Sequence, residues 1–135
     1  MEPTLEANLT RKKLIISGRL PNLNDYTKAC RTSPIVGNQM KKKNEEIITG
    51  YILEQLNGVH FEGKTYLHFL WVEMNRNRDL DNICFAKKFI LDALVNNKVL
   101  ETDGWRGVYG FTDDFDVDAF NPRVEVYIEG KLKGE

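Results

Sequence analysis

Apolar residues along the chain fall into a few segments, each with its own period. Residues 13–20, "KLIISGRL", form a short β-type run ended by Pro21, and the "LPNLNDY" that follows Arg19 has turn chemistry. After Ser33-Pro34, the residues Met40, Ile47, Ile48, Tyr51, Ile52 and Leu56 recur at helical spacing, and Asn57-Gly58 stops the pattern. "TYLHFLWVEM" (65–74) is rich in aromatic and β-branched residues and predicts a central strand. From Asp81 to Asn97 the period is helical again, with Ile83, Ala86, Ile90, Ala93 and Leu94 on one stripe. Two weaker strands follow, roughly 105–111 and 123–129, joined by an acidic loop. The order β-α-β-α-β-β predicts an α+β fold in which two main helices pack on one mixed sheet. It is read as a single domain over 1–135 with its core at about 13–128.

Composition narrows the class. At 135 residues, 41% apolar and 29% charged, the chain is long enough for a real core and too apolar for disorder. There is no internal repeat or low-complexity tract. The longest apolar run, Leu67 to Val72 with one histidine, is far too short to span a bilayer, so no membrane is expected. The opening "MEPTLEANLTRKK" lacks the apolar stretch of a secretory signal, and two cysteines, Cys30 and Cys84, point to reduced thiols. The expected compartment is cytoplasmic.

Net charge is −1, but unevenly spread. Residues 1–78 carry 12 Lys/Arg against 8 Asp/Glu, and residues 79–135 carry 7 against 12. A basic half beside an acidic one suits a protein that grips phosphates while holding cations, and equally one with merely uneven surface charge.

The acidic half opens with "NRNRDLDN" (75–82), where a predicted strand gives way to a helix. Asp79 and Asp81 are alternate residues, so in an extended segment both carboxylates point the same way and can converge on a hard cation such as Mg²⁺. Taken alone, the pair is most economically a helix cap favoured by the dipole. At about 100° per residue, Asp81, Lys88 and Asp92 fall near one line down a continuous helix, away from the apolar stripe. Lys88 and Asp92 also make an ordinary i,i+4 pair, worth about 0.3–0.5 kcal/mol. Asp103, in "VLETDGW", lies in a turn that is able to bring back a further carboxylate.

Other motifs carry less. "DFDVDAFNPRVE" (114–125) places Asp114, Asp116, Asp118 and Glu125 at calcium-loop positions, but Ala119 replaces the turn glycine and Pro122 interrupts it. It reads as a solvated acidic loop, with Glu125 on the wet face of a strand. His60 and His68 lack zinc-ligand company and are structural. Cys84 reads as packed rather than reactive. Trp71 and Trp105 read first as core residues, and contact with nucleic acid is the lesser alternative for Trp105, two residues after Asp103.

The blocks "RDLDN" (78–82), "KFILDAL" (88–94) and "ETDGW" (101–105), with "LPNLNDY" (20–26), resemble the RusA family of Holliday-junction resolvases. These are phage- and prophage-associated endonucleases, and the resemblance spans residues 13–128. It implies a metal-dependent acidic site of Asp79, Asp81 and Asp103 with Lys88, and Asp92 provisionally beside them. It implies Mg²⁺ as cofactor, with Mn²⁺ able to substitute, and a homodimer that nicks opposing strands of a four-way DNA junction. The stretch between "RDLDN" and "DAL" is about three residues longer than in the family, so Lys87 is the alternative to Lys88; Lys88 keeps the spacing to Asp92. Thr102-Asp103 stands where many members have adjacent aspartates. Phosphate contacts are expected from Lys41, Lys42 and Lys43 at the start of the first helix, with Arg76, Arg78 and Lys87 near the site. A non-catalytic module binding DNA junctions or single strands is the rival reading. A DxD-bearing transferase is disfavoured by the short chain and the lack of a glycine-rich phosphate loop.

Overall fold

The computed structural model describes residues 9–134, so residues 1–8 of the opening stretch, where no secretory signal is read, lie outside the described residues. The elements are β1 (Thr10–Ser17), α1 (Leu23–Thr32), α2 (Pro34–Gln55), β2 (Phe61–Glu73), α3 (Leu80–Cys84), α4 (Lys87–Asn96), β3 (Val108–Val117) and β4 (Arg123–Leu132). They form an α+β fold around one mixed sheet of order β1-β4-β2-β3. The β4 strand runs antiparallel to both β1 and β2, and β2 runs parallel to β3.

Period two along the strands decides which face is covered. The cross-strand pairs Leu14↔Val126, Ile16↔Val124, Leu67↔Ile128 and Trp71↔Val124 all point to one side. There they join Ile48 and Ile52 of α2 and Ile90 and Leu94 of α4 in a single buried cluster. The opposite face holds charged and polar pairs: Arg11 meets Glu129, and Lys13 and Arg123 meet Glu125. No described helix is long and apolar enough to cross a membrane. Cys30 and Cys84 are both free thiols.

Four local expectations change. The stretch "LPNLNDY" is not a turn alone: Asn22 begins α1 through a capping box, accepting from the Asp25 amide at 2.9 Å while Asp25 accepts from the Asn22 amide at 2.9 Å. Ser33 then caps α2, accepting from the Val36 amide at 3.1 Å, with Pro34 in the first turn where its missing N–H costs nothing. Lys41, Lys42 and Lys43 consequently lie about two turns inside α2 rather than at a helix start, beyond the reach of the N-terminal dipole.

The second helical segment is broken. Ala86 donates to Ile83 O at 3.3 Å, Lys88 to Phe85 O at 3.2 Å and Phe89 to Ala86 O at 3.0 Å, a run of i→i−3 bonds between α3 and α4. The buried residues Ile83, Ala86 and Phe89 recur every third position, which a turn of three residues keeps on one face. Phe85 turns toward Tyr26 and Phe89, with ring centroids 5.6 and 5.8 Å away. Asp81 and Lys88 therefore do not share one straight helix. Finally, most of the acidic stretch expected as a loop belongs to β3, where pairing with β2 overrides the poor strand propensity of aspartate. Asp114 and Asp116 are strand residues, which removes the calcium-loop geometry.

Candidate functional site

Lys88, Asp92 and Asp103 are brought together. Lys88 Nζ is 3.0 Å from Asp92 Oδ1 and 3.6 Å from Asp103 Oδ2, so one ammonium bridges α4 and the loop before β3. Lys41 reaches across from α2, its Nζ 3.8 Å from Asp92 Oδ2. Together with Glu45, Val95 and Asn96 these groups line a cavity of about 260 Å³. The hydrogen bond to Asp92 is the main cause that raises the Lys88 pKa above its ordinary value, with the Asp103 charge adding to it. Lys88 is thus cationic throughout the neutral range.

Lys87, the neighbouring alternative, points elsewhere. Its Nζ is 2.6 Å from Asp113 Oδ2 and lies 5.2 and 4.7 Å from the ring centroids of Phe69 and Phe111. Asp113 also accepts from the Trp71 indole at 2.9 Å. The half-buried ion pair holds α4 onto the sheet, and of these two neighbouring lysines it is Lys88 that faces the carboxylate cavity.

Asp79 and Asp81 are not part of that cavity. Asp79 is the N-cap residue of α3 without a side-chain cap bond, and it lines a separate cavity of about 320 Å³ with Glu73, Asp116, Arg76 and Arg78. Asp81 is exposed and accepts from the Asn82 amide at 3.0 Å. Among the described residues, no group of three or more His, Cys, Asp or Glu gathers as a metal cluster.

The cations expected to grip phosphate divide into several settings. Arg78 is held by Asp25 at 3.1 Å, by Glu73 at 3.9 Å and by Leu20 O at 3.0 Å, which makes it a strut between β2 and α1. Arg76 and Lys42 are exposed. Lys43 lines a cavity of about 600 Å³ between α1 and α2, together with Arg19, Lys28 and Arg78. Arg19 and Lys28 escape sequence reasoning because their approach to Lys43 depends on α1, whose signal was the Asn22…Asp25 box.

The remaining motifs find ordinary roles. His60 Nδ1 is 2.8 Å from Lys98 O, and His68 Nδ1 is 2.7 Å from Thr112 Oγ1. Glu125 is buried, not wet: Tyr127 and Arg123 donate to it, and these bonds lower its pKa, the Tyr127 hydroxyl first. Burial raises the pKa of the Cys84 thiol, and the Asp113 charge adds to it. Trp71 is a core residue, but Trp105 is 90% exposed and does not pack in the core.

Compared with protein-family models and with curated proteins, the chain matches none.

Proposed function

We propose that this protein is a metal-dependent endonuclease acting on branched DNA, the four-way junction being the substrate that the RusA resemblance implies. The observation that carries this reading is the convergence of Lys88, Asp92 and Asp103 on one open cavity from separate parts of the chain. Asp92 and Asp103 contact the same ammonium and line the same cavity. Mg²⁺ commonly takes one or two carboxylates and completes its shell with water and phosphate oxygens, so the donor set fits. Mg²⁺, or Mn²⁺ in its place, supplies an acidified water and charge neutralisation at the scissile phosphate.

Within this reading Asp92 and Asp103 bind the cation. Lys88 keeps its proton and offers positive charge where negative charge develops on the phosphate, and its flexible stem lets it turn from the carboxylates to an incoming backbone. Lys41 orients Asp92 from the α2 side. Asp79 and Asp81 are assigned to the metal site by the resemblance alone. The cleft between α1 and α2 offers Lys28 and Lys43 to a neighbouring phosphate, a contact that positions DNA without reading its sequence. The resemblance also implies a homodimer, with one site per subunit for symmetric nicking.

A second reading is favoured by one observation, the separation of Asp79 and Asp81 from the Lys88 cavity: a junction-binding module that does not cut. One experiment separates the two. Purified protein is incubated with a labelled synthetic four-way junction or plain duplex, in Mg²⁺, in Mn²⁺ or in EDTA. Paired symmetric nicks in the junction with metal, none in EDTA and none from Lys88→Met or Asp81→Asn support the nuclease. Tight junction binding without cutting in either metal supports the binding module, and equal cutting of duplex refutes junction selectivity.

A further inference from the structure

The turn between α4 and β3 is built tightly around a residue that it leaves in water. The amides of Gly107 and Val108 both donate to Gly104 O at 3.0 Å, and the Gly104 amide donates to Thr102 Oγ1 at 3.2 Å. Gly107 O in turn accepts from the Thr65 amide at 3.0 Å and from Thr65 Oγ1 at 2.8 Å, which ties the turn to β2. A Cβ on Gly107 would lie 1.9 Å from Thr102 O, so this closure needs glycine. Asp103 is held from the other side by Lys88. At the tip of this clamped turn stands Trp105, 90% exposed.

Large apolar side chains are normally buried, and a rigid turn that holds an indole outward forgoes that gain. The flanking residues Asp103, Gly104, Arg106 and Gly107 are charged or glycine, so along the chain the ring is not part of an apolar run. A flat π-surface beside cations is what a nucleobase with a free face stacks on. Trp105 follows Asp103 by two residues, a chain length of at most about 7 Å, so the indole and a carboxylate of the Lys88–Asp92–Asp103 cavity are carried on one turn. In continuous duplex each base is already stacked on both sides. Only a branch point, an end or a single strand offers an open face.

We infer that Trp105 is a stacking platform that receives a base with an open face at a DNA branch point and so makes the neighbouring cavity selective for branched over continuous duplex. This rests on the nuclease reading above and adds the source of its selectivity. Trp105 is a positioning residue, since it acts through the base it holds and not on the phosphate.

The chain has two tryptophans, and Trp71 is buried, so collisional quenching of intrinsic emission reports mainly on Trp105, with Trp105→Phe as the blank. A fluorescein-labelled four-way junction, a labelled oligo-dT and a labelled duplex are titrated in EDTA. Anisotropy reads binding, and acrylamide quenching reads exposure of the indole. The junction and oligo-dT are expected to bind and to shield Trp105, while duplex binds more weakly and leaves it open. Trp105→Ala should weaken junction binding roughly 5- to 150-fold and leave duplex binding unchanged, with Trp105→Phe restoring most of the loss. Junction binding with the indole still open to acrylamide, or full junction affinity in Trp105→Ala, overturns the stacking role and leaves the nuclease reading standing. No anisotropy change with any DNA overturns that reading and this inference together.

Discussion

Replacing Lys87 and Lys88 one at a time by methionine should separate a structural lysine from a functional one. Lys87 Nζ lies 2.6 Å from Asp113, with only 18% of the lysine side chain and 25% of the aspartate exposed. A charge-assisted hydrogen bond in such a setting is worth about 1.5–3 kcal/mol, and the two ring contacts add roughly 0.5–1 kcal/mol. Asp113 keeps the Trp71 indole and some water, so its loss stays below the 3–5 kcal/mol of a fully buried broken pair. We expect Lys87→Met to cost about 2–3 kcal/mol. With an unfolding entropy of roughly 2.1 cal/mol/K per residue over 135 residues, that lowers Tm by about 7–11 °C. Lys88 is 58% exposed, and its pairs are worth no more than about 0.5 kcal/mol, under ~2 °C. Thermal and urea unfolding followed by circular dichroism measure both, and a Lys87→Met/Asp113→Asn pair should recover part of the loss. Equal losses for the two single variants would refute the assignment of Lys87 to the fold and Lys88 to the cavity.

Asn22→Ala removes the side chain that caps α1 and should cost about 1 kcal/mol in urea unfolding, whereas Asn22→Asp should be nearly neutral. Glu125 has a lowered pKa in the folded state, so its contribution is present above the ordinary carboxylate pKa and is lost as pH falls through the folded value. Glu125→Gln should therefore be less stable than the native protein at pH 7 and show a smaller fall in Tm as the pH is lowered from neutral through and below the ordinary carboxylate range. At pH 8, iodoacetamide should modify exposed Cys30 well before Cys84, whose thiol is held protonated by burial; mass spectrometry of the alkylated peptides reads the order, and a faster Cys84 would contradict the packing described for α3.

Sequence alone determined the elements whose signal is periodic and repeated. Ile48, Ile52 and Leu56 mark α2 by their helical spacing, and the apolar run from Leu67 to Val72 marks β2, because burial on one face imposes those periods. The i,i+4 partnership of Lys88 and Asp92 was legible for the same reason. The remaining features depend on partners distant in sequence. Asp113 to Asp116 look like a loop until β2 supplies their ladder bonds and Lys87 and Trp71 satisfy the inward carboxylate. The break before α4 follows from Ile83, Ala86 and Phe89 meeting one core at intervals of three. It moves Asp81 off the Lys88 line that a straight helix requires. Trp105 makes the same point at the surface, for an aromatic residue reads as core until the turn that carries it is seen to be closed by backbone bonds that leave the ring outside.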